Sequence, residues 1–253
     1  MFFSPRDKST ALGMHTPLYF LTLAFFMTIT IISLIISRKM SRKGVKKTIL
    51  IVGVFLWITE FIKMIFTGIT YGIEDVEFIP LYFCSMFMYA SILNFFKNKH
   101  LQNAGLSFMF FGGILGAVAF FCYPSAVIPN YHLFHFMTLR TFIYHSLMIY
   151  VGVLIVITGY YKPEIKHFKE YSIFMGITFI LAYIINNVKE SNLMYISEPL
   201  GIPLSDKVFE MVPNLYPFIF GLLQLVVPFM ISYGIYKLVK YILNRKNKMG
   251  ASI

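Results

Sequence analysis

Charged residues are scarce in this chain of 253 residues: 13% are Asp, Glu, Lys or Arg, whereas 58% are hydrophobic. A soluble domain of this length is excluded, because one compact core would not bury so many apolar side chains. Cysteine is also scarce, and two residues exclude a disulfide framework and a zinc site built on thiolates. The composition therefore predicts that the chain is embedded in a lipid bilayer.

Acidic residues are half as frequent as basic ones, 11 against 22, which leaves a net charge of +11. A nucleic-acid partner is not expected, because the basic residues lie beside apolar runs and no zinc-finger or RNA-binding signature accompanies them. Such Lys and Arg residues are typical of segments that face anionic lipid in the cytoplasm. The Lys-, Ile- and Phe-rich composition favours a bacterial cytoplasmic membrane.

Apolar runs long enough for a transmembrane helix recur along the chain. A helix of roughly 17–25 such residues crosses the hydrocarbon layer, whereas a transmembrane barrel needs short alternating segments, which this sequence lacks. The sequence predicts an all-α polytopic membrane protein, a seven-transmembrane-helix bundle with one domain over residues 1–253. The predicted spans are Pro17–Ser37, Thr48–Gly68, Phe78–Phe96, Gly105–Tyr123, Thr138–Tyr160, Tyr171–Val188 and Tyr216–Leu243.

The distribution of charge predicts the orientation of the spans. The loop after the first span is basic from Arg38 to Lys47, whereas the next loop carries Glu74, Asp75 and Glu77. Because cytoplasmic loops carry the excess of Lys and Arg, the first loop is expected inside the cell. The N-terminus is then outside, and seven spans place the basic C-terminus in the cytoplasm.

Polar groups inside a span are costly and are therefore candidates for function. Counted at 1.5 Å per residue, Cys84, His145 and Glu60 lie roughly 9, 10 and 12 Å below the outer boundary. A thiol, an imidazole and a carboxylate are the residue types of a nucleophile, its general base and a group that orients the base. A structural interpretation stays open for each, since membrane cysteines often only pack, His145 can bind a neighbouring helix, and Glu60 can pair with Lys63.

Other polar residues complete the candidate site. The supporting cluster adds residues from spans five and six to Glu60, and the outer loops supply four more candidates. They are Arg140, Asn186 and Asn187 in the spans, and His132, His135, Asn192 and Tyr195 in the loops. Two histidines three residues apart are a weak metal signal, so no metal site is predicted, and no motif for a cofactor is present.

Several short pieces occur in a defined order. They are Ile79-Pro80-Leu81-Tyr82-Phe83-Cys84, Tyr144-His145-Ser146, Asn186-Asn187, Asn192-Leu193-Met194-Tyr195, Pro199 and the stretch 213–217. In this order they resemble the YwaF-like bacterial membrane proteins, the family that includes eukaryotic transmembrane protein 164, with its Leu-Pro-Leu-His-x-Cys element. Tyr82 departs from that element, because many relatives have His there, so the resemblance implies no second base at this position.

The resemblance implies lipid acyl transfer. In the eukaryotic relative this activity is attributed to a Cys and a His that correspond to Cys84 and His145, and the related androgen-induced-gene hydrolases act on lipid esters. The implied function is a membrane-embedded lipid acyltransferase or lipid hydrolase that takes its acyl group from a membrane phospholipid and passes it to a lysolipid or water. Glu60 or Asn187 would orient the imidazole or support the oxyanion.

A non-enzymatic function is the alternative. In a lipid or small-solute carrier, a receptor or a membrane assembly protein, the same polar cluster would bind a headgroup or solute. Transporters usually show inverted repeats or helices broken at the midplane, and the sequence shows neither clearly.

Overall fold

The computed structural model describes residues 2–73, 78–199, 201 and 203–250. Glu74, Asp75 and Glu77, on which the orientation argument partly depends, lie outside the described residues. The elements in chain order are α1 (Pro17–Ser37), α2 (Arg42–Tyr71), α3 (Met86–Leu93), α4 (Lys99–Ser107), a π-helix (Phe108–Gly113), α5 (Ile114–Cys122), α6 (Phe136–Ile157), a 3₁₀ turn (Ile165–His167), α7 (Phe168–Lys189), a 3₁₀ turn (Leu193–Tyr195), α8 (Pro203–Met211) and α9 (Tyr216–Gly250).

Six helices of the described chain are long and apolar enough to cross a membrane. They are Pro17–Ser37, Arg42–Tyr71, Lys99–Cys122, Phe136–Ile157, Ile165–Lys189 and Tyr216–Arg245. No β-strand occurs among the described residues. The predicted all-α, multi-pass membrane architecture is thus confirmed.

Local sequence signals explain where the first two helices begin. Thr16 accepts a hydrogen bond from the amide of Tyr19 at 3.1 Å, and Pro17 occupies the first helical position of α1. Ser41 caps α2 in the same way through the amide of Gly44 at 3.2 Å. Hydroxyl caps satisfy amides that have no partner within the helix, and Pro there loses no helical hydrogen bond.

The third predicted span, Phe78–Phe96, is wrong as a continuous helix. Its regular helix is only α3, and these eight residues rise about 12 Å, which is less than half of the hydrocarbon thickness. Pro80 marks the break, because it has no amide hydrogen to donate and disfavours the helical conformation at the residue before it. Residues 83–85 form a turn that leads into α3.

This broken segment nevertheless runs antiparallel to α2 over most of its length. At one end, a Cβ atom on Gly68 would lie 3.3 Å from the Phe78 ring. At the other end, the Lys46 ammonium lies 5.5 Å from the centroid of the Phe95 ring. The distance along α2 from Lys46 to Gly68 is roughly 33 Å at 1.5 Å per residue, which matches the hydrocarbon thickness.

The helix Lys99–Cys122 is the most buried of the six long helices, and its π-helical centre was not predicted from the sequence. π-Helical segments are rare overall, but those that occur are often found at functional sites. The carbonyl of Phe111 in the π-helix accepts a hydrogen bond from Ser232 Oγ of α9 at 2.9 Å. The Phe111 ring also packs on Phe229 with centroids 4.0 Å apart, which joins this helix to α9.

Candidate functional site

Cys84 lies in the turn that follows the break at Pro80. The amide of Met86 donates to the carbonyl of Tyr82 at 3.3 Å, and the amide of Phe87 donates to the carbonyl of Cys84 at 3.1 Å. These bonds make the turn continuous with α3. Cys84 therefore lies just before α3, next to its N-cap residue Ser85.

The Cys84 thiol faces α5. Its Sγ donates a weak hydrogen bond to the carbonyl of Gly116 at 3.8 Å. A Cβ atom at Gly116 would lie 2.9 Å from the Phe83 ring and 3.6 Å from Cys84 Sγ. A side chain at this point of α5 would displace the Phe83 ring, whereas the thiol lies at ordinary van der Waals distance from the added atom.

His145 is buried in α6, with 7% of its surface exposed. Its ring stacks on Phe120 with centroids 3.9 Å apart, and Nδ1 lies 2.8 Å from the carbonyl of Thr141. Because a carbonyl only accepts hydrogen bonds, Nδ1 carries the proton and Nε2 of the neutral ring carries the lone pair. Nε2 has no hydrogen-bond partner in the described part of the chain.

The thiol and the imidazole contact neighbouring turns of α5. Gly116, which binds the thiol, and Phe120, which stacks on His145, are four residues apart and so lie on one side of that helix. Sγ and Nε2 are not hydrogen-bonded to each other, since Sγ donates to Gly116 and Nε2 has no partner among the described residues. The catalytic pairing of Cys84 with His145 stays a prediction.

Glu60 is 1% exposed and binds two cations. Its Oε1 lies 2.6 Å from Lys63 Nζ, one turn along α2, and its Oε2 forms a hydrogen-bonded ion pair with Arg140 of α6. Arg140 Nε also donates to the carbonyl of Thr59 at 3.3 Å. The contacts of Glu60 therefore join α2 to α6. Arg140 is followed in α6 by Thr141, whose carbonyl binds the imidazole of His145.

Tyr144 connects this ion pair to the cysteine. The Arg140 guanidinium lies 5.1 Å from the centroid of the Tyr144 ring, and Tyr144 OH donates to the carbonyl of Cys84 at 3.3 Å. Sequence reasoning left Tyr144 out of the candidate residues, because a tyrosine in an apolar span gives no signal that separates packing from hydrogen bonding.

The described site lies wholly inside the range matched by the model of the TMEM164 family, residues 9–236. The chain belongs to the TMEM164 family. No curated protein and no solved structure matches it. The match confirms the predicted relation to transmembrane protein 164, and the residues of α9 after 236 lie beyond the family match.

Two asparagines of this TMEM164 family member differ in their contacts. Asn186 is buried and clasps the loop after α7: its Oδ1 accepts from the amide of Leu193 at 2.8 Å, and its Nδ2 donates to the carbonyl of the same residue at 3.1 Å. Asn187 is exposed and donates to the carbonyl of Tyr183 in its own helix at 2.7 Å. The described contacts thus join Asn186 to the loop, and neither asparagine to Cys84 or His145.

The loop that Asn186 holds is strained. Met194 and Tyr195 have φ angles of 55° and 54°, which is uncommon for residues other than glycine and costs about 1–3 kcal/mol each. Gln224 of α9 stabilises this backbone by donating to the carbonyl of Met194 at 2.8 Å. The ring of Tyr195 lies 5.4 Å from that of Tyr82, so the loop packs on the segment that carries Cys84.

Asn192 closes the other side of the same loop. Its Oδ1 accepts hydrogen bonds from the amides of Ser197 and Glu198 at 3.0 and 3.1 Å. Side-chain caps of this kind satisfy main-chain donors in irregular backbone. The predicted outer-loop candidates Asn192 and Tyr195 thus shape the loop over the Cys84 segment.

His135 caps the beginning of α6 and is fully buried. Its Nδ1 accepts from the amide of Met137 at 3.1 Å, and its Nε2 lies 2.9 Å from the carbonyl of Ser4. Both ring nitrogens are therefore used, while the ring of His132 lies 5.6 Å away. Within the described chain no group of three or more His, Cys, Asp or Glu residues could hold a metal ion.

Proposed function

We propose that this protein is a membrane-embedded lipid acyltransferase or lipid hydrolase that uses Cys84 as nucleophile and His145 as base. The observation that carries the proposal is Nε2 of His145, a buried lone pair without a partner in the described chain, on a ring that contacts α5 one turn from the residue that binds the Cys84 thiol. An unpaired buried polar atom costs about 1–3 kcal/mol and calls for an explanation, of which a catalytic role is one.

The break before Cys84 supports the same reading. Irregular backbone at membrane depth is tolerated where it is buried in protein or lines a polar cavity. The turn at Pro80 directs the thiol towards Gly116 inside the bundle, and Cys84 is half-buried there.

The chemistry is two acyl transfers. First, Nε2 of His145 takes the thiol proton while Sγ attacks the carbonyl carbon of a phospholipid ester; the S–C bond forms, the ester C–O bond breaks, and the imidazolium protonates the departing alkoxide. Second, Nε2 takes a proton from a lysolipid hydroxyl or from water, whose oxygen attacks the thioester. The C–S bond breaks, and the imidazolium returns the proton to Sγ.

The transfer of the thiol proton requires a side-chain rotation, because Sγ donates to Gly116 in this structure. Hydrogen bonds between catalytic groups are often absent before substrate binds and form in the complex. The present contact of the thiol is also the observation that favours the alternative, a non-enzymatic lipid carrier in which Cys84 only packs.

The test uses purified protein in vesicles that contain a phospholipid with a labelled acyl chain and an unlabelled lysolipid. The Cys122→Ser variant is the parent, because it leaves Cys84 as the sole cysteine. We expect label on the acceptor or as free fatty acid, a thioester on Cys84 by mass spectrometry, and neither in Cys84→Ala. Turnover by Cys84→Ala equal to that of the parent would overturn the proposal, and lipid binding without turnover would support a carrier.

We also propose that segment 78–95 crosses the membrane as a broken helix, which makes seven crossings with the N-terminus outside a bacterial cytoplasmic membrane. Its contacts along α2 support this, as does the basic cytoplasmic loop. Single cysteines replacing Lys8, Lys39 or Lys97, in a chain without other cysteines, would be treated with an impermeant maleimide. In intact cells only Lys8→Cys should react; labelling of Lys97→Cys would show that the segment does not cross.

A further inference from the structure

The main-chain carbonyl of Cys84 has two donors. One is the amide of Phe87 at 3.1 Å, which belongs to the helical turn itself. The other is Tyr144 OH at 3.3 Å, which comes from α6. Because the first bond is internal to the segment, the second is a direct polar tie between the cysteine main chain and the rest of the bundle.

The tyrosine is itself held in place. Tyr144 is 3% exposed, and the Arg140 guanidinium lies over its ring at 5.1 Å. Arg140 in turn binds the carboxylate of Glu60 and the carbonyl of Thr59, both on α2. A charge pair in a low-dielectric interior is strong when its hydrogen bonds are satisfied, so α2 and α6 give the hydroxyl a fixed position.

We infer that Tyr144 is a positioning residue, which holds the Cys84 main chain so that the thiol faces Gly116 and the His145 side of α5. The consequence for catalysis rests on the proposed function, whereas the position of the thiol does not. Main-chain placement matters here because the break at Pro80 removes the helical hydrogen bonds that fix a cysteine inside a regular helix. A displacement of about 1 Å can reduce the rate of an enzyme about 100-fold.

The decisive variant is Tyr144→Phe, which removes only the hydroxyl. Its matched control is Tyr150→Phe, because Tyr150 is on the same helix and its hydroxyl binds Ser37 Oγ at 2.8 Å, away from the cysteine. Both changes are made in the Cys122→Ser parent. The first measurement is the rate at which a membrane-permeant maleimide alkylates Cys84, together with the unfolding temperature of each variant.

We expect Tyr144→Phe to speed alkylation about tenfold, the equivalent of one neutral hydrogen bond, with an unfolding temperature equal to that of Tyr150→Phe. Arg140→Lys keeps the charge and loses the planar fork, so it should speed alkylation in the same direction. Equal alkylation rates in Tyr144→Phe and Tyr150→Phe would overturn the inference, as would an unchanged rate in Arg140→Lys.

The second measurement is lipid turnover. Tyr144→Phe should lower kcat about tenfold with KM unchanged, because the hydroxyl acts on the nucleophile and not on the bound lipid. If the parent shows no turnover, the proposed function fails while the alkylation rates still decide the role of Tyr144. If the parent turns lipid over and the two tyrosine variants behave alike in both measurements, the positioning role fails and the proposed function stands.

Discussion

Two buried histidines, one that caps α6 and one within it, use their rings in different ways. His135 binds a main-chain amide through Nδ1 and the Ser4 carbonyl through Nε2. His145, ten residues later, binds the carbonyl of Thr141 through Nδ1 and leaves Nε2 without a partner among the described residues. Burial alone therefore does not distinguish the two histidines, whereas the nitrogen of His145 that has no partner among the described residues does.

The surroundings of the two rings agree with this distinction. The bond from His135 Nε2 to the Ser4 carbonyl ties the N-terminal segment to the beginning of α6, as does the bond from the amide of Phe136 to the carbonyl of Phe2 at 3.0 Å. The contacts of His145 are a flat aromatic surface from Phe120 and a carbonyl of its own helix. One ring binds main-chain groups through both nitrogens, and the other keeps one nitrogen without a partner in the described part of the chain.

The largest effect is expected for His145→Leu. Removal of a general base lowers the rate about 10²–10⁴-fold, so lipid turnover should fall by this factor. The unfolding temperature should stay that of the parent, because Nε2 has no partner to lose and the carbonyl of Thr141 keeps the helical bond from its own helix. A large loss of stability in this variant would show that the His145 ring has a structural role like that of His135, and the distinction between the two histidines would fail.

The reverse result is expected for His135→Leu. Loss of both ring contacts removes the bonds to the amide of Met137 and to the carbonyl of Ser4, which costs about 1–3 kcal/mol of unfolding free energy. Turnover per folded molecule should be unchanged. His135→Asn is the control, because Asn can accept from the same amide and recover about 1 kcal/mol as an N-cap; equal stability of the Leu and Asn variants would contradict this role.

Much of the fold could be predicted from hydropathy, because each long apolar run must become a helix in a bilayer. The predicted first span, Pro17–Ser37, has the same bounds as α1. The segment Phe78–Phe96 is wrong as a helix for the opposite reason: its apolar composition is that of a span, but Pro80 decides its backbone. The sequence indicates the break only through this one proline, and the mean hydropathy of the whole segment does not reflect it.

The site was predictable in its residue types and not in its pairings. Glu60 and Arg140 were both candidates, yet their ion pair joins α2 and α6, and no spacing within one helix predicts such a contact. The partner of His145 Nδ1 is a main-chain carbonyl, which every residue has and no residue type reveals. The clasp of Asn186 on Leu193 likewise depends on how the loop folds back on α7.

A smaller effect is expected for Gly116→Ala, which changes how α5 packs against the segment that carries the thiol. The new Cβ would meet the Phe83 ring at 2.9 Å, and overpacking of this kind costs about 1–3 kcal/mol. Cys84 should then be alkylated faster, because its turn moves away from α5. Gly234→Ala is the control, since nothing lies within 4 Å of a Cβ there; similar unfolding temperatures and alkylation rates in both variants would show that α5 does not position the thiol.

The smallest effect is expected from pH and concerns His135. Burial lowers the pKa of His135 below its ordinary value of 6.5, the neighbouring His132 acts in the same direction, and the bond to the Ser4 carbonyl opposes both. The unfolded chain therefore binds the proton first as the pH falls, and its uptake in the folded protein would remove the Nδ1 lone pair that accepts from Met137. The stability that neutral His135 contributes is complete above about pH 6.5 and is lost as the pH falls from there through the lowered pKa.

Hydrogen exchange at the amide of Phe136, measured from pH 7 downwards and corrected for the intrinsic exchange rate, reports this loss, because that amide binds the carbonyl of Phe2. Protection should fall with acidification in the parent and change less in His135→Asn, which has no proton to take up. Equal slopes in the two proteins would mean that another group controls the N-terminal segment. His145→Leu should keep the slope of the parent, because the paired histidine, and not the one with the free nitrogen, holds this end of the molecule.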